Sequence, residues 1–218
     1  TQHDAAPILS KETGDDEENP WGVDYFRMFD MSLDSDLFHQ ASDIEDGTQL
    51  QDGNILRDDT EYTRVYEGRM IKQYNHRASH ARNSEDNIYR SGASEEIIRE
   101  QLADPDFTVA ARYYMTKGEV NREMADRDYD CDLFVGFKDI TSATNTRTMI
   151  ASVLPYTAVG NKVPILLADH PARSVACFLA NLNSFAYDFA CRQKIGNVTL
   201  NWYIVRQTPV FPPNTFDQ

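Results

Sequence analysis

One segment constrains the fold more than any other: residues 171–191, PARSVACFLANLNSFAYDFAC, which read as a single long amphipathic helix. Val175, Phe178, Leu179, Leu182, Phe185 and Phe189 recur at i, i+3, i+4 and i+7, so they form one stripe that faces a core. Asp169 and His170 stand at the cap, and Pro171 suits a first turn whose N–H groups have no intrahelical partner. Arg192 and Lys194 suit the carboxyl end of the helix dipole, and Gly196 is a natural stop. The helix is therefore expected over about 171–193, and its apolar stripe requires another layer to cover it.

The rest of the chain supplies short elements. Residues 62–74, YTRVYEGRMIKQY, alternate apolar and polar across Gly68, as one or two strands with a turn would. Residues 94–102 and 117–125 read as short helices, the first opened by Ser94 with an acidic first turn and stopped at Asp104-Pro105. Strands are expected at 109–115, 132–138, 147–156, 163–167 and 198–205, the fourth and fifth of these flanking the helix. The sum is an α+β fold: a mainly antiparallel sheet with one dominant helix in the C-terminal half.

The 218 residues, 41% of them hydrophobic, are enough to bury a real core. No apolar run reaches the ~18 residues of a membrane span. The start, Thr1-Gln-His-Asp, has no secretory pattern and no initiating Met, as expected of a segment of a longer cytoplasmic protein. Cys131, Cys177 and Cys191 are odd in number and widely spaced, which favours free thiols in a reducing compartment.

The net charge of −14 is unevenly spread. Residues 1–60 hold 16 Asp/Glu against 3 Lys/Arg, whereas residues 61–218 hold 19 against 18. The first 60 residues thus read as an acidic linker or docking segment: a polar leader to about residue 20, an amphipathic stretch at 21–38 and an acidic loop at 39–60. Residues 61–218 read as the main domain, free to carry a basic face.

Catalytic patterns are missing from the sequence. No two glycines are separated by one residue, and no Gly-Lys pair or Gly-x-Ser-x-Gly elbow occurs. None of the six lysines follows an acidic residue at the Asp/Glu-x-Lys spacing of common nucleases, which leaves Pro105-Asp106 a lone pair. His76-x-x-x-His80 would place two imidazoles on one face of a helix, but it lacks a third ligand and is flanked by Arg77 and Arg82.

The positive features are basic, aromatic and amide-bearing. Arg64, Arg69, Lys72, His76, Arg77, His80 and Arg82 fall within nineteen residues, interleaved with Tyr66 and Tyr74. Thr144, Asn145, Thr146, Arg147 and Thr148 form a second cluster, and Lys194, Asn197, Thr199 and Asn201 a third. Such side chains neutralise phosphates and pair with base edges.

The segments YEGRMIKQYNHR (66–77), GFKDITSATNTRTMIASVLP (136–155) and LLANLNSFAYDFACRQKIGNVTLNWYIVRQTPVFPP resemble the C-terminal target-recognition region of adenine-N6 DNA methyltransferases of the type II, IIG-like, restriction-modification group. NPWGVDYFRMFDMSLDSDLF (19–38) resembles the piece that joins the methylase core to that region. The resemblance implies a specificity domain that positions double-stranded DNA for methylation by a catalytic domain outside this chain. That domain of the same polypeptide would bind S-adenosylmethionine and hold a flipped adenine; no cofactor is expected on this chain itself. The DNA contacts it implies are Arg64, Lys72, Tyr74, His76, Arg77, Arg147, Thr148, Lys194, Asn197 and Asn201.

Two other readings compete with this one. A protein-interaction or structural domain would dock through the acidic N-terminal part, with Trp21, Tyr25, Phe26 and Phe29 as an exposed apolar patch. A divergent nuclease would use the carboxylates Asp126, Asp128, Asp130 and Asp132.

Overall fold

The computed structural model describes residues 6–13, 16–50, 52–83, 92 and 94–216. In chain order the first strands are β1 (Lys11–Thr13), β2 (Asp16–Glu18), β3 (Asp24–Phe26), β4 (His39–Gln40) and β5 (Thr48–Gln49). They are followed by β6 (Ile55–Arg57), β7 (Thr60–Tyr66), β8 (Ser79–His80), β9 (Glu95–Glu96) and helix α1 (Arg99–Ala103). Strand β10 (Tyr113–Thr116) leads into α2 (Lys117–Met124), and β11 (Leu133–Phe137), β12 (Ala151–Pro155), β13 (Ala158–Val159) and β14 (Ile165–Leu167) come next. The helices α3 (Ala172–Leu182), α4 (Phe185–Lys194) and α5 (Trp202–Arg206) close the fold.

The fold is α+β, and its two larger sheets are almost wholly antiparallel. One has the order β4-β10-β7-β6-β5, with β13 pairing in parallel to β7; the other has the order β12-β11-β14-β3. The four-stranded sheet is the middle layer, and the period-2 alternation of its strands shows why. Phe134, Leu154, Ile165 and Leu167 enter a core shared with the larger sheet, where Val65, Tyr66, Met70 and Met115 meet them. Val135, Phe137, Ala151 and Leu166 enter a second core with Val175, Phe178, Leu182 and Tyr187 of the helices. A sheet covered on both faces needs near-continuous apolar strands, and LFVGF and ILL meet that need. Gly136 is required in the first of these strands. A Cβ there would stand 2.8 Å from Leu154 Cδ1 and 3.0 Å from Val163 Cγ1.

The acidic N-terminal part is built into the fold and is not a separate segment. β3 pairs with β14 at the edge of the middle sheet, while β4, β5 and β6 belong to the larger sheet. Trp21, Phe26 and Phe29 are buried, and half-buried Tyr25 stacks on Trp202 at 4.8 Å. The first half of the amphipathic stretch expected at 21–38 is thus packed within the fold around β3, the second half forms a turn and a 3-10 turn at Ser35–Leu37, and Trp21, Phe26 and Phe29 form no exposed apolar patch. The loop expected at 39–60 contains a two-residue hairpin between β6 and β7. Asp58 and Asp59 both take left-handed backbone there (φ 47° and 60°), which fits the twist of paired strands. Of the leader, residues 1–5 and 14–15 lie outside the described residues.

The long helix is two helices. The Asn183 N–H bonds to Leu179 O, and Ser184 then caps α4 by accepting from the Tyr187 N–H at 3.1 Å. The break shifts the phase of the apolar stripe. Tyr187, Asp188 and Cys191 turn inward, whereas Phe185 and Phe189 are 84% and 62% exposed. The strand expected at 198–205 is also replaced. Thr199 forms a single bridge to Ile140, Asn201 becomes the N-cap of α5, and Ile204 and Val205 are buried from that helix. The short helix expected at 94–102 is likewise divided between β9 and α1.

Candidate functional site

The loop after β7 reaches the edge of the middle sheet through a tight turn. Lys72 and Asn75 bond to each other in both directions (Lys72 N to Asn75 O 2.8 Å, Asn75 N to Lys72 O 3.0 Å). This pairing leaves Gln73 and Tyr74 at the tip. Tyr74 takes a left-handed backbone (φ 61°), is 59% exposed, and donates its N–H to Ala151 O on edge strand β12 at 3.0 Å. A bulky residue in that region costs energy, and Gly or Asn would be the usual occupant.

Next to the turn lies an open groove of about 690 Å³ lined by Lys72, Gln73, Lys138, Thr144, Asn145, Thr146, Arg147 and Ile150. It joins two of the clusters read from the sequence and adds Lys138, which sequence reasoning missed. Lys138 has a lowered pKa, first from burial and second from the charge of Lys72. A half-buried ammonium beside a second cation marks a place where a bound anion is stabilising. Lys72 also forms an exposed ion pair with Glu96 at 2.5 Å.

Arg147 is held firmly at the groove wall. Its Nε donates to Gln73 Oε1 at 3.3 Å, Nη2 donates to Asn183 O, and Nη1 stands 3.9 Å from Asp188 Oδ2. Its guanidinium lies 4.2 Å from the centroid of the exposed Phe185 ring. Asp188 fixes this corner, because Oδ1 accepts from the N–H groups of Thr148 (2.7 Å) and Met149 (2.8 Å). The 144–146 loop is exposed, and its carbonyls at 145 and 146 accept from Arg192 Nη2. The groove therefore presents three cations, hydroxyls and two amides, and the Phe185 ring lies against Arg147.

Other expected contacts lie elsewhere. Thr148 is fully buried, its hydroxyl donating to Ser142 O at 3.1 Å, so it acts inside the fold and cannot touch a large partner. Arg64 is only 7% exposed and donates to Gly53 O (2.6 Å) and Asp52 O (2.9 Å). Arg77 is bound to the carbonyls of Leu102, Asp104 and Phe107. Arg64, Arg77 and His76 line a separate cavity. His76 sits beside a turn and His80 in β8, so the pair shares no helical face. Lys194 donates to Gln207 O, Asn197 Oδ1 accepts from Thr199 N, and Asn201 stands at the N-cap position of α5 without a side-chain cap bond; none of the three lines the groove. Among the described residues, no three His, Cys, Asp or Glu side chains are grouped to hold a metal ion, and no helix is long and apolar enough to cross a membrane.

Fold and groove together define an α+β protein with a cationic, amide-bearing cleft at a sheet edge. The chain matches no family model, no curated protein and no solved structure.

Proposed function

We propose that this chain binds double-stranded DNA as the target-recognition part of a larger adenine-N6 methyltransferase of restriction-modification type. The carrying observation is the convergence of Lys72, Lys138 and Arg147 with the Thr144–Thr146 loop on one open groove. The cations neutralise phosphates, while the threonines, Asn145 and Gln73 are of the kind that pair with base edges. Phe185, exposed and lying against the Arg147 guanidinium, adds an apolar ring for contact with the DNA. The sequence resemblance supplies the partner, a methylase domain of the same polypeptide that carries S-adenosylmethionine in a cytoplasmic enzyme. In this reading the chain contributes position and specificity, and the chemistry belongs to the other domain.

Binding to random-sequence duplex at two salt concentrations, followed by selection of the bound sequences, tests the reading. Enrichment of a short adenine-containing motif is expected. Lys72→Gln and Lys138→Gln should each weaken binding about tenfold and lower the salt slope by about one. Phe185→Ala should weaken binding by about 1–3 kcal/mol if one base stacks on the ring. Binding that is indifferent to salt and to these variants would sink the proposal.

A further inference from the structure

Beyond the groove, a cavity of about 430 Å³ is lined by Arg64, Tyr66, His76, Arg77, Phe107 and Pro155, among others. Its volume lies in the range that takes small ligands. It adjoins a second cavity of about 350 Å³ that contains His80 and Arg82, and the two share Arg64, Thr108 and Val109. The close approach of Gly53 to Arg64 fixes this wall, since a Cβ on Gly53 would lie 2.3 Å from Arg64 Nη1.

Two arginines face the larger cavity. Arg64 Nη1 and Nη2 bond to the carbonyls of Gly53 and Asp52, and its buried Nε has no hydrogen-bond partner among the described residues. Arg77 likewise bonds to three main-chain carbonyls, and neither guanidinium makes an ion pair among the described residues. Two carboxylates line the cavity. Asp52 is occupied on both oxygens by Asn54 (3.0 and 2.9 Å), and Asp106 is exposed. Neither carboxylate pairs with a guanidinium, so main-chain carbonyls are the direct partners of both cations, and the unpartnered Arg64 Nε is a donor that an anion would engage. His76 is held neutral by burial and then by the charges of Arg77 and Arg64. Its ring lies 6.3 Å from that of Tyr66, and Phe107 adds a second aromatic wall.

We propose that this cavity is a binding site for a small anion carrying a flat ring, of the mononucleotide class, with its phosphate at Arg64 and Arg77 and its ring against Tyr66 and Phe107. The site is distinct from the DNA groove and does not depend on the DNA reading.

Titration of the whole chain with AMP, adenosine and inorganic phosphate, followed by NMR of the His76 ring, tests the site. A phosphate beside the imidazole favours its protonated form against Arg64 and Arg77, so AMP should raise the His76 pKa. Adenosine and phosphate should each bind at least about tenfold more weakly than AMP, as expected when charge and ring both contribute. Arg77→Gln should lower AMP affinity by a similar factor; if it fails to fold, the wild-type titration carries the test alone. Duplex binding should be unchanged by saturating AMP. A His76 signal indifferent to AMP would overturn the site, and so would equal binding of phosphate alone or competition between AMP and duplex.

Discussion

The side chain of Asn183 pairs with both backbone groups of Ala151: Nδ2 donates to Ala151 O at 2.9 Å, and Oδ1 accepts from Ala151 N at 3.0 Å. A side-chain amide here does the work of a neighbouring strand at the edge of the middle sheet, and Asn183 can do so only because it leaves the helix. Asn183→Leu should cost about 2 kcal/mol, because the buried Ala151 N–H loses its acceptor while Ala151 O keeps the Tyr74 N–H. Asn183→Asp should be no better at neutral pH, since it sets a carboxylate against Ala151 O. Urea midpoints of the two variants against wild type would check both.

If the groove binds DNA, Tyr74 should be a position where stability and recognition part. Asparagine tolerates the left-handed backbone that tyrosine adopts there at a cost. Tyr74→Asn should therefore stabilise the protein by about 0.5–1 kcal/mol and weaken duplex binding. A variant that gains stability and binds DNA as well as wild type would remove Tyr74 from the interface.

Asp139 should make stability depend on pH. Its carboxyl is fully buried, stands 3.4 Å from Arg27 Nη2 and 4.0 Å from Lys162 Nζ, and has no hydrogen bond on either oxygen among the described residues. Burial raises its pKa, and the pull of Lys162 and Arg27 is smaller. A carboxyl with a raised folded pKa contributes most to stability below the unfolded value and loses that contribution as pH rises through the folded one. Wild type should thus lose stability relative to Asp139→Asn as pH climbs from the ordinary value of 3.8. Urea midpoints measured between about pH 4 and 7 check this. The opposite slope would mean that pairing with Arg27 and Lys162 outweighs burial.

Cys191 should resist alkylation in the folded protein. Burial pushes its thiol up to about 12, which leaves almost no thiolate at neutral pH. Mass spectrometry after N-ethylmaleimide treatment should find Cys191 unmodified until denaturant is added. Fast native labelling would show that α4 opens readily.

The sequence shows most of what depends on neighbours along the chain. The strand LFVGF, the strand ILL, the helix 117–124 and the apolar stripe up to Leu182 were readable from period and caps. What failed depends on partners far away in sequence. The end of α3 is coupled to Ala151, and the loss of the 198–205 strand is tied to Asp139, whose carbonyl accepts from Leu200 N at 2.7 Å. The Asp58-Asp59 turn was hidden because acidic residues read first as solvated loop. Of the groove residues, Lys72, Arg147 and the threonine loop belong to clusters visible in the sequence, whereas Gln73 and Lys138 do not, and neither does the adjoining Phe185. Lys138 ends an apolar strand with no patterned neighbour. Phe185 was assigned to the core stripe, and only the break at Asn183 turns it outward. Arg64 and Arg77 looked like surface cations because a sequence does not show that backbone carbonyls will claim a guanidinium.

Ile8 bridges Pro209, Leu9 N donates to Thr208 O at 3.1 Å, and Trp21 Nε1 donates to Phe211 O at 2.9 Å. The early and late parts of the chain are thus fastened side by side under the second core. A polypeptide that enters this fold near residue 8 leaves it beside the same point. Residues 8 and 9 therefore cannot peel away without also freeing residues 208 and 209, so these two stretches, far apart in sequence, open together or not at all.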